Sequence, residues 1–408
     1  MHLFPSRERS EAETVNYGSE ERQPKKWLIV FLLVLAFVLV GAGVNAFQDF
    51  YQVVNPSNPG SGLSRMFFSS ISQVMNCLNS DGTSCGNGAP STSAIKLYVA
   101  TTGNDSHVCS IGSPCLTVAH TLSLVPYNPN RPYIINVADG TYAEGLQFTG
   151  YKSMFGSTLI TILGDTTTPA NVVFSGNVNC QPSDGGTYTT GVCVIGAYVS
   201  LQGMTVSPTA TRGLLAIDDG HVQLNQFVAS GTTTYGIEVS LGSTLSMSGN
   251  VTVSGFSSQG FKQNLGSTVA QFGGTLSINA GSVGSTVGLI VQGGSHFGLH
   301  DAGTTLSITN IGASGAGIYL SANSTIDNQS GSGNTVSLTN TATPAGSIGI
   351  FAESMASYQN ISGGSLTLNH WTTCLEADGN ALIAAQNTTF SNCGTNTSAS
   401  QQAQIITF

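Results

Sequence analysis

Two short stretches carry residue types that could do chemistry. Asp218-Asp219-Gly220-His221 sets two carboxylates beside an imidazole, the groups that general acid/base cleavage of a polysaccharide requires. Arg212 lies just upstream, a cation that an acidic glycan substrate would favour. His296 and His300, with Asp301 beside them, offer nitrogen and oxygen ligands. Residues four apart on a strand face the same way, so both imidazoles could approach one metal.

Both stretches also have plain structural readings. Two adjacent acids at a strand end form a solvated turn, and Gly298 in the loop-like GGSHFGLHDAG interrupts a shared direction for the histidines. The calcium repeat Gly-Gly-x-Gly-x-Asp fails, because Gly293-Gly294-Ser295 runs into His296. A turn and ordinary surface histidines are the expectation, with no catalytic, cofactor or metal site assigned. His370-Trp371 reads as a loop edge, and Glu376 with Asp378 as a turn. Nucleophile elbow, phosphate loop and dinucleotide fingerprint are absent.

The elements that must position these residues repeat. A glycine followed by an alternating strand recurs at Gly191, Gly213, Gly236, Gly260, Gly288, Gly317 and Gly349, with an altered copy at Cys374, at spacings of 22, 23, 24, 28, 29, 32 and 25 residues. Second strands such as VQLNQFVAS from Val222 and TLSITNIG from Thr305 continue the period-two pattern. A rung of this length cannot bury its apolar face alone and must stack. The glycines read as corners of a scaffold. The expected fold is all-β, a right-handed parallel β-helix of about ten rungs at ~4.8 Å spacing.

Composition narrows the function. Charged residues are 8 % and Gly numbers 50, so the surface is polar through hydroxyls and amides. The net charge of −9 lies after Phe47, where Arg65, Lys96, Arg131, Lys152, Arg212 and Lys262 are the only Lys and Arg. No basic stripe exists to displace counterions, which excludes nucleic acid as a partner. Residues 28–44 are uninterrupted apolar or Gly, preceded by Arg22, Lys25 and Lys26. This predicts a transmembrane helix over 27–47 with the N-terminus inside and the rest outside, at a cell surface or on a virion. The rival is a cleaved signal peptide ending at Val44-Asn45-Ala46.

All eight cysteines follow that segment, in neighbouring couples: Cys77 with Cys85, Cys109 with Cys115, Cys180 with Cys193, and Cys374 with Cys393. Disulfides in an oxidising compartment are expected, with proximity as the guide to pairing. Sequons at Asn104, Asn250, Asn323, Asn328, Asn360, Asn387 and Asn396 are candidate glycosylation sites, although a chain this rich in Asn, Ser and Thr makes them by composition.

In order, residues 1–26 form a polar disordered tail, 27–47 the span, 48–94 a linker and stalk, and 95–408 the solenoid. The stalk is expected to be an amphipathic helix over 63–78, with Leu63, Met66, Phe67, Ile71, Val74, Met75 and Leu78 on one face. A second helix over 116–125, striped by Leu116, Ala119, Leu122 and Val125 and stopped by Pro126, caps the first rung. The end of the chain, residues 394–408, either folds over the last rung or leaves it docked on something.

LYVATTGNDS, then SPCLTVAHTL, then YIINVADGTYAEGLQF together resemble the opening of pectin-lyase-like parallel β-helix proteins, over roughly residues 95–400. The resemblance implies the fold, and it implies no single activity, since lyases, polygalacturonases, tailspikes and adhesins share it. Polygalacturonases resemble one another in Asn-x-Asp, Asp-Asp, Gly-His-Gly and Arg-x-Lys; here Arg-x-Lys is missing and His221 is not in Gly-His-Gly. The body's cations form no recognisable cluster in the sequence.

The leading expectation is a non-enzymatic, membrane-anchored structural or attachment protein, such as a virion spike, a minor capsid component or a cell-surface adhesin. Its partners would be the membrane, other capsid or surface proteins, or glycans, and side-by-side association of rods is left open. Alternatives are a lyase or hydrolase of acidic glycans and a non-catalytic glycan-binding protein. Contact is expected on the later rungs, between Gly260 and Cys393.

Overall fold

The computed structural model describes the strands Ser64–Phe68 and Met75–Asn79 and residues 93–407, apart from 128, 130, 153–159, 232, 282–285, 329–332 and 361–362. The tail at 1–26, the span at 27–47 and Cys85 lie outside the described residues, and so the Cys77–Cys85 expectation does too. Among the described residues no helix is long and apolar enough to cross a membrane. The chain divides into two units, Met1–Pro90 and Ser91–Phe408.

In the first unit the helix expected over 63–78 gives way to a strand pair. Ser64–Phe68 and Met75–Asn79 run antiparallel, with Ser64 opposite Asn79 and Phe68 opposite Met75. Phe67 and Phe68 favour extended backbone, and the serines that follow are poor helix formers. These local preferences outweigh an apolar spacing that also suited a helix.

In the second unit each turn of the chain lays down three short strands, each parallel to its counterpart one turn on. The first stack is an 11-stranded sheet that holds every glycine-led phrase in register. Val192 lies opposite Leu214, Leu214 opposite Ile237, and Ile237 opposite Phe261. Leu289, Ile318, Ile350 and Leu375 continue the column. A second stack runs from Ile95–Val99 and Tyr133–Val137 to Leu382–Ala385 and Gln404–Thr407. A third runs from Gly140–Tyr142 and Val172–Phe174 to Thr388–Ser391. Stacked parallel strands of this kind fit a right-handed β-helix-like solenoid. Residues 395–407 do not fold over the end; Thr395–Ala399 and Gln404–Thr407 extend the first and second stacks.

Inward-facing residues of all three stacks form one apolar core, including Ile135, Phe148, Leu224, Phe261, Phe297 and Leu368. Each such side chain contributes about 1.5–3 kcal/mol by leaving water. Trp371, expected at a loop edge, is fully buried in this core and donates its indole N–H to the Leu338 carbonyl at 2.9 Å.

The repeated glycines are not corners. They lie inside the strands and pack against the next turn, so that a Cβ on Gly191, Gly260 or Gly317 would come within 2.9, 2.8 and 2.7 Å of the carbonyl oxygen of Gly213, Gly288 and Gly349. The corners are at the other end of each strand, where adjacent residues have positive φ: Asp218-Asp219, Leu241-Gly242, Leu265-Gly266, Gly293-Gly294, Ala322-Asn323 and Ser354-Met355. Turn amides climb this column, Asp219 N to Leu241 O at 3.2 Å and Gly242 N to Leu265 O at 3.1 Å among them.

The first rung is capped by α1, Val118–Ser123, which starts two residues later than expected. Thr117 is its N-cap: its hydroxyl accepts the His120 N–H at 3.1 Å. This rotates the buried face to Val118, Thr121, Leu122 and Val125, and Leu116 and Ala119 are exposed. Asp105 accepts the Leu116 and Thr117 amides at 2.8 and 3.0 Å, while Glu144 accepts those of Val118 and Ala119 at 2.7 and 3.1 Å. Tyr142 is buried and donates to the Ala138 carbonyl at 2.7 Å. Burial pushes its hydroxyl up to about 12.

Candidate functional site

Asp218 and Asp219 are a turn, as their place at a strand end predicts. Both have positive φ, at 55° and 59°, which Asp tolerates better than most side chains. Asp218 has a partner the sequence does not disclose: its Oδ2 accepts the Ser183 amide at 2.5 Å. His221 stacks on Tyr198 with ring centres 4.1 Å apart, and its Nδ1 lies 2.5 Å from the Thr244 hydroxyl. Burial lowers its pKa, against the pull of Asp219. The three residues are engaged in turn, loop and stacking contacts.

His296 and His300 lie with ring centres 6.5 Å apart, but their partners differ. His296 Nε2 is 2.8 Å from Asp327 Oδ2 on the next turn, while His300 stacks on Phe272 at 5.2 Å. Asp301 is not drawn in; its carbonyl accepts the Thr304 hydroxyl at 2.6 Å. Among the described residues the one group with metal-ligand proximity is Cys109, Cys115 and His120, and its two thiols are spent in a disulfide.

Three of the expected couples are disulfides: Cys109–Cys115, Cys180–Cys193 and Cys374–Cys393. Two of the sequons are corrected. Asn328 and Asn360 are buried, with Asn328 Nδ2 donating to Asn360 Oδ1 at 2.7 Å and Asn360 Nδ2 to the Gln386 carbonyl at 2.9 Å. An amide ladder inside a corner leaves no space for a glycan. Asn104, Asn250, Asn323, Asn387 and Asn396 are exposed.

A concentrated polar constellation that the sequence conceals lies on the outer face of the first sheet. Arg212, on strand Arg212–Ile217, pairs through Nε with Glu238 on Thr233–Val239. The same carboxylate takes Lys262 Nζ at 2.9 Å, from strand Phe256–Gln263. The guanidinium lies 4.3 Å from the Tyr188 ring centre and 5.0 Å from that of Tyr235, and Lys262 Nζ is 4.8 Å from Tyr235. Arg212 is 9 % exposed and Glu238 4 %, so these charges are held largely out of water. Two cations share one carboxylate, leaving the trio one net positive charge.

Tyr188 is placed by an inserted loop. Strand Val178–Cys180 pairs antiparallel with the start of Tyr188–Ile195, and Cys180–Cys193 fastens it to the sheet face. Asp218 grips the loop through Ser183, and Asp184 takes the Tyr188 hydroxyl at 2.7 Å. That hydrogen bond and burial raise the phenol pKa, and the same bond lowers that of Asp184. The candidate catalytic acid Asp218 therefore helps position an aromatic wall of this site.

The face continues along the stack. Lys262 lies opposite Ile290, then Tyr319, Phe351 and Glu376 follow one per turn. Tyr319 and Phe351 have ring centres 5.5 Å apart, and Tyr319 donates to Glu353. Burial, reinforced by Asp378, raises the pKa of Glu376. Aromatic rings and bound charges on a rigid sheet suit recognition. The carboxylates of the trio's neighbourhood are already engaged, Glu238 by two cations and Asp184 by Tyr188. Neither a protein-family model nor a curated protein matches the sequence.

Proposed function

We propose that this chain is a non-enzymatic attachment protein of the pectin-lyase-like β-helix class, anchored in a membrane by residues 27–47 with its solenoid outside. The observation that carries this reading is the strip on the outer face of the first sheet, where Tyr188 and Tyr235 flank an arginine held by a shared carboxylate. Half-buried aromatics beside ordered charge are the usual anchors of a binding surface. The kinship is supported by what the opening motif does: Asp105 and Glu144 cap α1, and Tyr142 ties down its own turn. Those are scaffold tasks that a family can share without sharing an activity.

A virion spike and a cell-surface adhesin both fit. The full chain in lipid nanodiscs, tested for adhesion to cells, examines the reading. Tyr188→Ala with Tyr235→Ala should weaken adhesion about tenfold or more without lowering the melting temperature by more than a few degrees. Adhesion indifferent to this pair would remove the strip from the account.

A further inference from the structure

The apolar side chains left in water are not spread evenly. Among the described residues nine large hydrophobics are exposed, and five of them, Val108, Ile111, Leu116, Leu124 and Tyr127, fall within twenty residues at the start of the solenoid. Val108 and Ile111 are the most exposed of the nine, at 75 % and 77 %. The loop between them and α1 is braced by Cys109–Cys115 and lies on the outer edge of strand Ile95–Val99. There the Tyr98 N–H donates to the Cys109 carbonyl at 2.8 Å, and the Cys115 N–H to the Tyr98 carbonyl at 2.9 Å. The other edge of that strand carries Tyr133–Val137, so the loop is the outermost layer at this end of the solenoid. Apolar tips held rigidly clear of the body mark a surface that something covers.

The surroundings of the tips favour lipid. From Ser106 to Asn130 the chain has no Asp, Glu, Lys or Arg, so nothing charged has to enter an apolar boundary with them. Asp105 and Glu144 are occupied by the amides of α1. Lys96, on the outermost strand, and Arg131, next to the Pro132 whose carbonyl accepts the Ile95 N–H at 2.8 Å, are exposed and complement anionic headgroups. The chain arrives from the apolar run at 27–47 at this same outermost strand. We infer that the capped end of the solenoid seats on a bilayer surface, with Val108 and Ile111 below the headgroups and Lys96 and Arg131 against lipid phosphates. A glycan on Asn104, four residues before Val108, would hold this end off the bilayer, so the seat requires Asn104 to be unmodified. The inference rests on the reading of 27–47 as an anchor and adds a second membrane contact to it.

The test reads tryptophan quenching by bromines on the lipid acyl chains. Trp27 and Trp371 are the chain's two tryptophans and Trp371 is fully buried, so Trp27→Phe gives a quiet background. In that background the full chain with Ile111→Trp, in nanodiscs of phosphatidylcholine with about a quarter phosphatidylglycerol, should lose about half of its added emission when the lipids are brominated. Phe272→Trp, at an exposed ring after strand Thr268–Gln271, should lose none. Lys96→Gln with Arg131→Gln should reduce the quenching at position 111 about twofold or more. Emission at position 111 that ignores bromine overturns the inference, and if that emission is also blue-shifted the tips are covered by protein instead. A glycan found on Asn104 of the full chain overturns it as well. Trp27 in the unaltered chain reads the anchor separately. If Trp27 is quenched and position 111 is not, the seat falls and the anchor stands; if neither is quenched, both fall.

Discussion

Tyr235 and Glu238 are three residues apart on one strand, and both meet Lys262: its Nζ lies 4.8 Å from the Tyr235 ring centre and 2.9 Å from Glu238 Oε1. Strict alternation would send them to opposite faces. Gly236 takes the extra position between them, with Ile237 and Val239 still in the core. The repeated glycine thus sets the outward spacing that builds the cluster.

A side chain at that glycine should disturb both packing and cluster. A Cβ on Gly236 would overlap Val253 Cγ1 and come within 2.5 Å of the Gly260 carbonyl oxygen. Gly236→Ala is expected to cost about 1–3 kcal/mol in urea unfolding. Gly112→Ala, where a Cβ meets nothing within 4 Å, should stay within about 0.5 kcal/mol. Equal effects at the two positions would refute the packing argument.

The shared carboxylate matters more than either cation. Glu238→Ala leaves two largely buried positive charges without a counterion and should destabilise by about 3–5 kcal/mol. Lys262 is more exposed than Arg212, with side-chain exposures of 16 % and 10 %, and Lys262→Ala leaves Glu238 still paired with Arg212, so it should cost only about 1–2 kcal/mol. Thermal or urea denaturation reads the difference. A Glu238→Ala loss no larger than that of Lys262→Ala would mean that solvent, not the partner, satisfies the cations.

Much of this was legible in the residues and some was not. Period two, the glycine-led phrases and the cysteine couples point to the stacked strands, to α1 and to Cys109–Cys115, Cys180–Cys193 and Cys374–Cys393. The cluster was hidden because its partners are 24 and 26 residues apart, Glu238 with Lys262 and Arg212 with Glu238, and uneven rungs conceal which residues stack. His296 and Asp327, 31 apart, escaped for the same reason. Asn328 and Asn360 read as sequons because nothing local distinguishes a buried amide from an exposed one. At 63–78 an apolar spacing fitted helix and strand alike.

The two carboxylates that cap α1 should titrate with opposite effects on stability. Burial raises the pKa of Asp105, but the Thr117 hydroxyl and the Thr117 and Leu116 amides outweigh it and hold the carboxyl below 3.8. Its contribution is present above that value and lost as pH falls below it. Burial raises Glu144 above 4.5 despite the Val118 and Ala119 amides. Folded chain then binds the proton more tightly than unfolded, so stability declines as pH rises through the window just above 4.5. In urea unfolding against pH, Asp105→Asn should flatten the acid limb and Glu144→Gln the later decline. A Glu144→Gln chain that keeps that decline would place it elsewhere.

Asp219 is expected to behave as a turn residue. Its positive φ of 59° suits Asn or Gly and strains a β-branched side chain. Asp219→Asn should be neutral within about 0.5 kcal/mol, and Asp219→Val should lose about 1–3 kcal/mol. If the two substitutions prove equally costly in chemical denaturation, the carboxylate has a role beyond the backbone.

The most direct measurement incubates the full chain with acidic polysaccharides and follows polymer length by size-exclusion chromatography. The expected result is polymer of unchanged length. Shortening of the polymer that Asp219→Asn or His221→Ala abolishes would contradict a non-enzymatic attachment role.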